Sequence, residues 1–224
     1  MLTCGRCPWG ITLSNLAHRS LRARISTATE YATCWSVRPG PLKILVLGGT
    51  RFIGLHMTEA ALRRGHQLTF FNRGRTNTER FPEIERIRGD RNSDVAGLAG
   101  RRFDAVIDNS GYFPRHMDLS CGVLKDAVDR YLFIATINVY KSDEKPNEDE
   151  AGELNLELVE NGDEKDLRNY GPYKAQCELR ADKLMPGKVA RVRPALIAGP
   201  RDPSDRFTYW PVRMSEAKGE RVKV

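Results

Sequence analysis

The chain has 224 residues, of which 40% are hydrophobic, and a formal net charge of +7, which is enough for one domain with a substantial core. It contains no run of about 18 apolar residues, which argues against a membrane-spanning helix. The positive charge is uneven: residues 1–40 carry five arginines and one glutamate, so the rest of the chain carries only +3. This mild excess disfavours a nucleic-acid partner for the folded part.

The five cysteines argue for a reducing compartment. Their number is odd and their spacing irregular, which is not typical of a disulfide framework. Cys4 and Cys7 form a C-x-x-C pair, but no second pair or nearby histidine completes a zinc site. No metal site is therefore expected, and a cytoplasmic location is favoured.

Residues 1–40 lack the strand, turn and helix pattern of the rest of the chain. They are rich in Arg, Ser and Thr and poor in acids, which resembles an organelle transit peptide. The alternative is a disordered tail or an upstream extension, and only the transit peptide would place the protein in an organelle. The breaker run Arg38–Pro41 marks the start of the domain.

The first folded segment predicts a dinucleotide-binding unit. An apolar run, Leu42–Gly49, indicates a buried strand, the pattern at Phe52–Arg64 indicates a helix that ends at Gly65, and His66–Phe71 indicates a second strand. A strand, glycine-rich turn, helix and strand within about thirty residues is the arrangement that a dinucleotide fingerprint requires.

The turn between this strand and helix is the predicted pyrophosphate site. Gly48 permits a tight turn, and Gly54 lets the helix pack closely on the strand. Arg51 stands where related turns carry a middle glycine, and it either contacts a cofactor phosphate or projects into water. The residues predicted to bind the cofactor here are Gly48, Gly49, Thr50, Arg51, Phe52, Ile53 and Gly54.

Strands and helices alternate along the remaining chain. Four further strands are predicted at Ile84–Asp90, at Phe103–Gly111, at Arg130–Thr136 and within Lys188–Pro200, with helices at Asp118–Val128 and Pro172–Leu184. This alternation predicts an α/β fold with a doubly wound parallel sheet. The acidic stretch Asp143–Asp166 is interpreted as a solvated loop over the site.

A Tyr-x-x-x-Lys pair supplies candidate catalytic residues. Tyr170 and Lys174 lie on one face if this segment begins a helix. A phenol has a pKa of about 10, and a nearby ammonium together with a cationic nicotinamide would favour the phenolate, which could then exchange a proton with a substrate oxygen. Thr136 follows the fifth strand and can hydrogen-bond the same oxygen.

Taken together, the motifs GGTRFIG, FNRGRT, RGDRN, IATINVY, YGPYK and RPALIAGPRDPSDRFTYW resemble the extended short-chain dehydrogenase/reductase superfamily, and within it the NAD-dependent epimerase/dehydratase branch. The resemblance runs from Leu42 to the end of the chain. It implies a Rossmann fold, a catalytic triad and an adenine-contacting acid. The residues that it assigns are Thr136, Tyr170 and Lys174 for the triad, Asp90 for adenine, and Asn109, Ser110, Gly111, Lys174 and Pro194 for other cofactor contacts.

The resemblance also implies the domain layout. Residues 1–40 are a transit-like or disordered extension, residues 41–200 a NAD(P)-binding Rossmann domain, and residues 201–224 the beginning of a truncated small substrate lobe. The apolar side chains of Phe207, Tyr209 and Trp210 are then expected to be exposed. Leu196 stands near the position of an asparagine that contacts nucleotide sugars, which disfavours such a substrate.

The end of the second strand favours NADP over NAD. An acid usually binds the ribose hydroxyls of NAD at this position, but here Asn72 occupies it and Arg73 follows. Asn72 carries no charge to repel a 2′-phosphate, and Arg73, together with Arg51 or Arg75, can pair with one.

Three functions stay open. The first is an NAD(P)-dependent epimerase/dehydratase or reductase acting on a small hydroxyl or carbonyl compound, with a homodimer expected on analogy. The second, from a branch with similar GGTRFIG and GP motifs, is binding of stem-loop RNA. The third is a fragment that binds the cofactor without turnover.

Overall fold

A computed structural model describes residues 40–141, 149–159 and 166–217. Six strands alternate with helices: β1 Lys43–Leu47, β2 Gln67–Asn72, β3 Glu85–Arg88, β4 Phe103–Asp108, β5 Val128–Ile134 and β6 Val189–Val192. The helices of eight or more residues are α1 Phe52–Arg63, α2 Pro114–Leu124, α3 Tyr170–Leu184 and α4 Tyr209–Glu216. The segment assigned to a transit-like extension lies outside the described residues, apart from Gly40.

The strands form one parallel sheet in the order β3-β2-β1-β4-β5-β6. This is the Rossmann order, in which the chain reverses direction across the sheet between β1 and β4. The predicted α/β fold with a doubly wound parallel sheet is therefore confirmed. Strands β1 and β4 pair up to their last residues, Leu47 and Asp108, and the loops that follow them leave the sheet at the crevice where folds of this kind bind ligands.

Side chains alternate between the two faces of the sheet, and both faces are buried. Leu45 and Leu47 of β1 point to the cluster that packs against α2 and α3, whereas Ile44 and Val46 point to the cluster beside α1. A strand that is apolar on both faces needs helices on both sides. This requirement explains why β1 is a continuous apolar run.

Two helices begin earlier than the sequence predicted. Helix α2 spans Pro114–Leu124 rather than Asp118–Val128. Pro114 occupies the first turn, where its missing N–H and fixed φ suit a helix start. Val128 instead begins β5 and pairs with Phe103, so the apolar residues after Leu124 belong to the sheet. Helix α3 begins at Tyr170, two residues before the predicted start.

A buried ion pair connects the ends of the strands. The carboxylate of Asp108, at the end of β4, accepts two hydrogen bonds from Arg91, which follows β3, and one from the Tyr131 hydroxyl of β5 at 2.6 Å. Asp108 and Tyr131 have no exposed surface. Burial alone would raise the pKa of Asp108, but the Arg91 charge and these hydrogen bonds hold it below its usual value.

The Asp108 network should dominate the acid stability of the fold. Replacing Asp108 with Asn leaves Arg91 buried without its partner and should lower the free energy of unfolding by about 3–5 kcal/mol. Tyr131→Phe removes one hydrogen bond to a charged oxygen and should cost about 1.5–3 kcal/mol. Urea unfolding of the two variants at neutral pH measures both effects, and an equal or larger loss in Tyr131→Phe would contradict the ranking.

The same pair sets the direction of the pH dependence. Because the folded-state pKa of Asp108 is lowered, its contribution is fully present above the unfolded-state pKa of about 4 and is lost as the pH falls below it. The wild type should therefore lose stability on acidification more steeply than Asp108→Asn.

Candidate active site

The glycine-rich turn joins β1 to α1 at the crevice between β1 and β4. Gly48 has a φ of +104° and donates its N–H to the Phe71 carbonyl at 3.0 Å. A Cβ on Gly48 would overlap the side-chain oxygen of Asn109, and one on Gly54 would lie 2.8 Å from the backbone of Gly49. Both predicted roles, tight turn and close packing, are therefore present. Neither position has room for a side chain, because Asn109 and the Gly49 backbone lie directly against these glycines.

The residues after Gly49 form the start of α1. Thr50 is buried, and its carbonyl accepts a hydrogen bond from the Asn77 side chain at 2.6 Å. Arg51 is exposed and has an extended backbone, so this position does not need a glycine. Phe52 has a positive φ of 29°, which is unusual for a bulky residue. Ile53 continues the first turn of the helix.

The loop after β4 lies directly against the glycine-rich turn. Asn109 fills the space between Gly48 and Gly54, and the Ser110 hydroxyl donates to the Leu47 carbonyl at 3.0 Å. Gly111 offers its carbonyl to the Lys174 ammonium at 2.7 Å. The structure thus places the three predicted residues of this loop at the cofactor crevice.

The predicted triad comes together at the carboxyl edge of β4 and β5. Helix α3 begins at Tyr170 and places Lys174 one turn later, as predicted. The Tyr170 side chain lies close to that of Thr136, which follows β5. Lys174 is buried, and it donates to the carbonyls of Gly111 at 2.7 Å and Ile134 at 2.6 Å.

Burial shifts the pKa values of the two reactive groups in opposite directions. Burial lowers the pKa of Lys174 to about 8, although the charge of Asp108 opposes the shift. Burial also raises the pKa of Tyr170, and the neighbouring Tyr112 adds to this while the hydrogen bond with Thr136 opposes it. The Lys174 ammonium bonds to the Gly111 and Ile134 carbonyls, and the lowering of the Tyr170 pKa by Lys174 together with a cationic nicotinamide stays a prediction. A cationic cofactor would be needed to favour the phenolate.

Tyr112 is a site residue that the sequence did not reveal. Its ring lies 6.4 Å from the ring of Tyr170 and 5.5 Å from the Lys174 ammonium, and the residue is 49% exposed. Its backbone N–H donates to Nδ1 of His116 at 3.2 Å, and Nε2 of His116 bonds to Asn92 at 2.8 Å. Only its position directly after the β4 loop could have indicated a role.

The predicted adenosine end of the site is built mainly from backbone contacts. The Asn72 amide donates to the Gly48 carbonyl at 3.0 Å, and its oxygen accepts from the N–H of Gly74 at 2.9 Å. Asn72 therefore pins the glycine-rich turn, a role that sequence reasoning missed. Asp90 accepts two hydrogen bonds from Asn92, and these with the charges of Arg73 and Arg75 lower its pKa. Arg73 thus lies near Asp90.

The segment after β6, the strand at the edge of the sheet, adds fewer contacts to the predicted site. The Pro194 carbonyl, after β6, accepts from the N–H of Ile137 at 3.0 Å, which holds the segment beside Thr136. Leu196 is 67% exposed. Phe207, Tyr209 and Trp210 are also exposed, as the sequence predicted. None of the helices in the described ranges is long and apolar enough to cross a bilayer.

Known proteins share the fold and, over part of the chain, the sequence. No family model matches the chain. It is 30% identical over 122 residues to the chloroplast stem-loop binding protein of 41 kDa b of Arabidopsis thaliana, covering 47% of this chain and 32% of the relative. The Bordetella bronchiseptica enzyme WbmH, solved in complex with NAD+, superposes with a TM-score of 0.61 at 17% identity and covers 80% of this chain and 64% of its own.

A UDP-galactose 4-epimerase gives a similar result, with a TM-score of 0.58 at 19% identity, over 80% of this chain and 64% of the epimerase. The predicted resemblance to the extended short-chain dehydrogenase/reductases is thus confirmed at the level of the fold. The chain spans about a third of the curated relative and less than two thirds of these solved chains.

Gly48→Ala tests whether the turn binds a dinucleotide. The new methyl group would overlap Asn109 and force Asn109 or the turn to move, so affinity for a nicotinamide cofactor should fall at least about tenfold by calorimetry. Gly65→Ala is the matched control, because Gly65 also has a positive φ (+76°) but no atom lies within 4 Å of the position that a Cβ would take there. Unchanged affinity in both variants would show that the turn does not bind a dinucleotide. An equal loss of affinity in both would show that backbone strain, and not the position of Gly48, is the cause.

Proposed function

We propose that this chain, which has the fold of the extended short-chain dehydrogenase/reductases, is an NAD(P)-dependent oxidoreductase of the epimerase/dehydratase or reductase type. The single observation that supports it best is that the Tyr170 side chain lies beside Thr136, one helical turn from Lys174, at the carboxyl edge of the sheet. Ligands of such folds bind at this edge. The substrate is a small molecule with a hydroxyl or carbonyl group.

The glycine-rich turn fits a dinucleotide. The backbone at Gly48 and Gly54 is bare, and the Asn109 and Ser110 side chains are held close to the turn. When bound, a nicotinamide ring supplies the hydride acceptor or donor. Gly111 and Lys174 line the path from this turn to Tyr170, since the Lys174 ammonium bonds to the Gly111 carbonyl.

The side chains of the site move and hold the proton. As a phenolate, Tyr170 takes a proton from a substrate hydroxyl, and as a phenol it returns one to a carbonyl, while Thr136 holds the same substrate oxygen. Lys174 has three N–H donors, and two of them bond to carbonyls. The third is available for a cofactor ribose hydroxyl or the Tyr170 oxygen. With a pKa of about 8, Lys174 is largely protonated at neutral pH, and its charge favours the phenolate once it approaches.

The proposed cofactor is NADP rather than NAD. Asn72 supplies no carboxylate at the end of β2, and its amide is committed to the Gly48 and Gly74 backbone. A carboxylate at this position would face the Gly48 carbonyl, so the turn itself favours an uncharged residue. Without an acid at this position, no charge opposes a 2′-phosphate. The arginines nearby supply the positive charge.

The rim of the site favours a substrate with apolar surface. Tyr112, Ile137 and Leu196 follow β4, β5 and β6, and their exposed fractions are 49%, 46% and 67%. A sugar ring presents hydroxyl groups that need polar partners. We therefore rank nucleotide sugars, on which structural neighbours such as the UDP-galactose 4-epimerase act, below smaller and less polar alcohols or ketones.

Tyr170→Phe tests the chemistry. The variant keeps the ring and loses the hydroxyl that exchanges the proton, so turnover should fall by at least about a hundredfold, while cofactor affinity changes less than about twofold. Tyr173→Phe is the control, because Tyr173 lies on the same helix and packs against Phe113 with its ring. Reductase assays with a panel of small ketones and calorimetry give both numbers, and retained turnover in Tyr170→Phe would remove Tyr170 from the proton-transfer role.

Stem-loop RNA binding is the second candidate, and the similarity to the chloroplast stem-loop binding protein favours it. The mild charge of residues 41–224 and the retained Tyr170 and Lys174 count against it. Filter binding to a structured RNA from 50 to 200 mM salt discriminates, since several phosphate contacts predict a loss of affinity of about a thousandfold over this range. Weak or salt-insensitive binding would exclude the RNA candidate.

Cofactor binding without turnover would favour the third candidate, an inactive fragment.

A further inference from the structure

A basic cavity lies beside the glycine-rich turn. Its volume is about 380 Å³, and three guanidinium groups line it, with no carboxylate among the lining side chains that the structure describes. The lining residues are Arg51, Phe52, Leu55, Thr76, Asn77, Arg80, Arg201 and Pro203. We propose that this cavity binds a phosphate monoester.

Three separate segments of the chain form its walls and are fixed to one another. The start of α1 supplies Arg51, the loop after β2 supplies Arg80, and the segment after β6 supplies Arg201. The Asn77 side chain donates to the Thr50 carbonyl at 2.6 Å, which ties the second wall to the first. The packing of any single segment does not explain why three arginines from distant parts of the chain line the same cavity.

The third wall is held against α1 by two contacts. Arg201 forms an ion pair with Glu59 at 2.8 Å, and the Pro200 carbonyl bonds to His56 at 2.9 Å. Arg201 and Phe52 also have positive φ values, +67° and +29°, and such strained backbone tends to occur where a ligand site determines it. Glu59 neutralises part of the Arg201 charge, so the cavity presents about two net positive charges to a ligand.

This charge matches a phosphate monoester, which carries about −1.5 to −2 at neutral pH. Guanidinium groups bind phosphate oxygens through paired, charge-assisted hydrogen bonds. A phosphodiester carries one negative charge and would leave part of the positive charge of the cavity unbalanced. The hydroxyl of Thr76 and the amide of Asn77 add uncharged hydrogen-bonding groups to the lining.

Which molecule carries the bound phosphate depends on the proposed function. If a dinucleotide binds the turn, Arg51 joins the two sites, and the phosphate is the one that distinguishes NADP from NAD at the ribose 2′ position. The preference would then rest on Arg51, Arg80 and Arg201, and not on Arg73, which lies near Asp90. A free phosphate or another phosphorylated metabolite shares the same chemistry and is the alternative source.

Calorimetry on the full chain at constant ionic strength separates these sources. The probes are inorganic phosphate, 2′-AMP, 5′-AMP, NAD and NADP. The variants are Arg51→Ala and Arg80→Ala, with Arg102→Ala as the control, because Arg102 is 75% exposed, pairs with Asp129 and does not line the cavity. We expect NADP and 2′-AMP to bind about tenfold more tightly than NAD and 5′-AMP, and each cavity variant to remove most of this difference. Arg102→Ala should leave it unchanged.

The outcomes separate this proposal from the proposed function. Arginine-dependent binding of inorganic phosphate with equal affinities for NAD and NADP would support the cavity site and assign it to another phosphorylated ligand. Phosphate binding without any dinucleotide binding would support the cavity and contradict the oxidoreductase. Equal affinities for all paired probes, with no binding of phosphate, would overturn the cavity site while leaving NAD binding intact. An equal loss in Arg102→Ala would also overturn it, since general charge would then be the cause.

Discussion

The buried carboxylate of Asp108 is the constraint on which the site depends. It lies at the end of β4 and receives hydrogen bonds from Arg91 after β3 and from Tyr131 of β5. It also accepts from the N–H of Ser110 at 3.1 Å. One charged group therefore connects the end of β4 to the segment after β3 and to the middle of β5, and the loop that carries Asn109, Ser110 and Gly111 begins directly after it. Removing the Asp108 carboxylate would leave the Arg91 guanidinium buried without an opposite charge. This is unfavourable because the guanidinium has been taken out of water without a partner to compensate for it.

The placement of Lys174 follows from this arrangement. Its ammonium is buried among the Gly111 and Ile134 carbonyls and lies 4.2 Å from the Phe133 ring centroid. Asp108 supplies a nearby negative charge, but Arg91 offsets it, and burial leaves the Lys174 pKa at about 8. Backbone carbonyls, rather than a carboxylate partner, thus fix the position of the Lys174 ammonium. This arrangement leaves one of its N–H groups for a ligand without creating a competing salt bridge.

The same fold serves proteins with different functions, and the details of the site decide between them. The relative in Arabidopsis thaliana is described as a stem-loop binding protein, and one structural neighbour as a UDP-galactose 4-epimerase. This chain carries Thr136, Tyr170 and Lys174 at the carboxyl edge of the sheet, and the exposed side chains of Tyr112, Ile137 and Leu196 follow β4, β5 and β6. Concave, localised charge around the cavity also differs from the extended basic surface that RNA requires.

The sequence by itself determined the order of strands and helices, the glycine-rich turn and the helical spacing of Tyr170 and Lys174. These features are local: periodicity and glycine positions act over a few residues, and the chain order of a doubly wound sheet leaves few topologies. Tertiary structure decided the rest. Asn72 binds the Gly48 backbone, Lys174 turns to carbonyls, and Arg80 and Arg201 meet Arg51 only because loops far apart in sequence pack together. Polar side chains choose partners by proximity in space, and that proximity is set by the packing of the whole sheet rather than by the neighbouring residues in the chain.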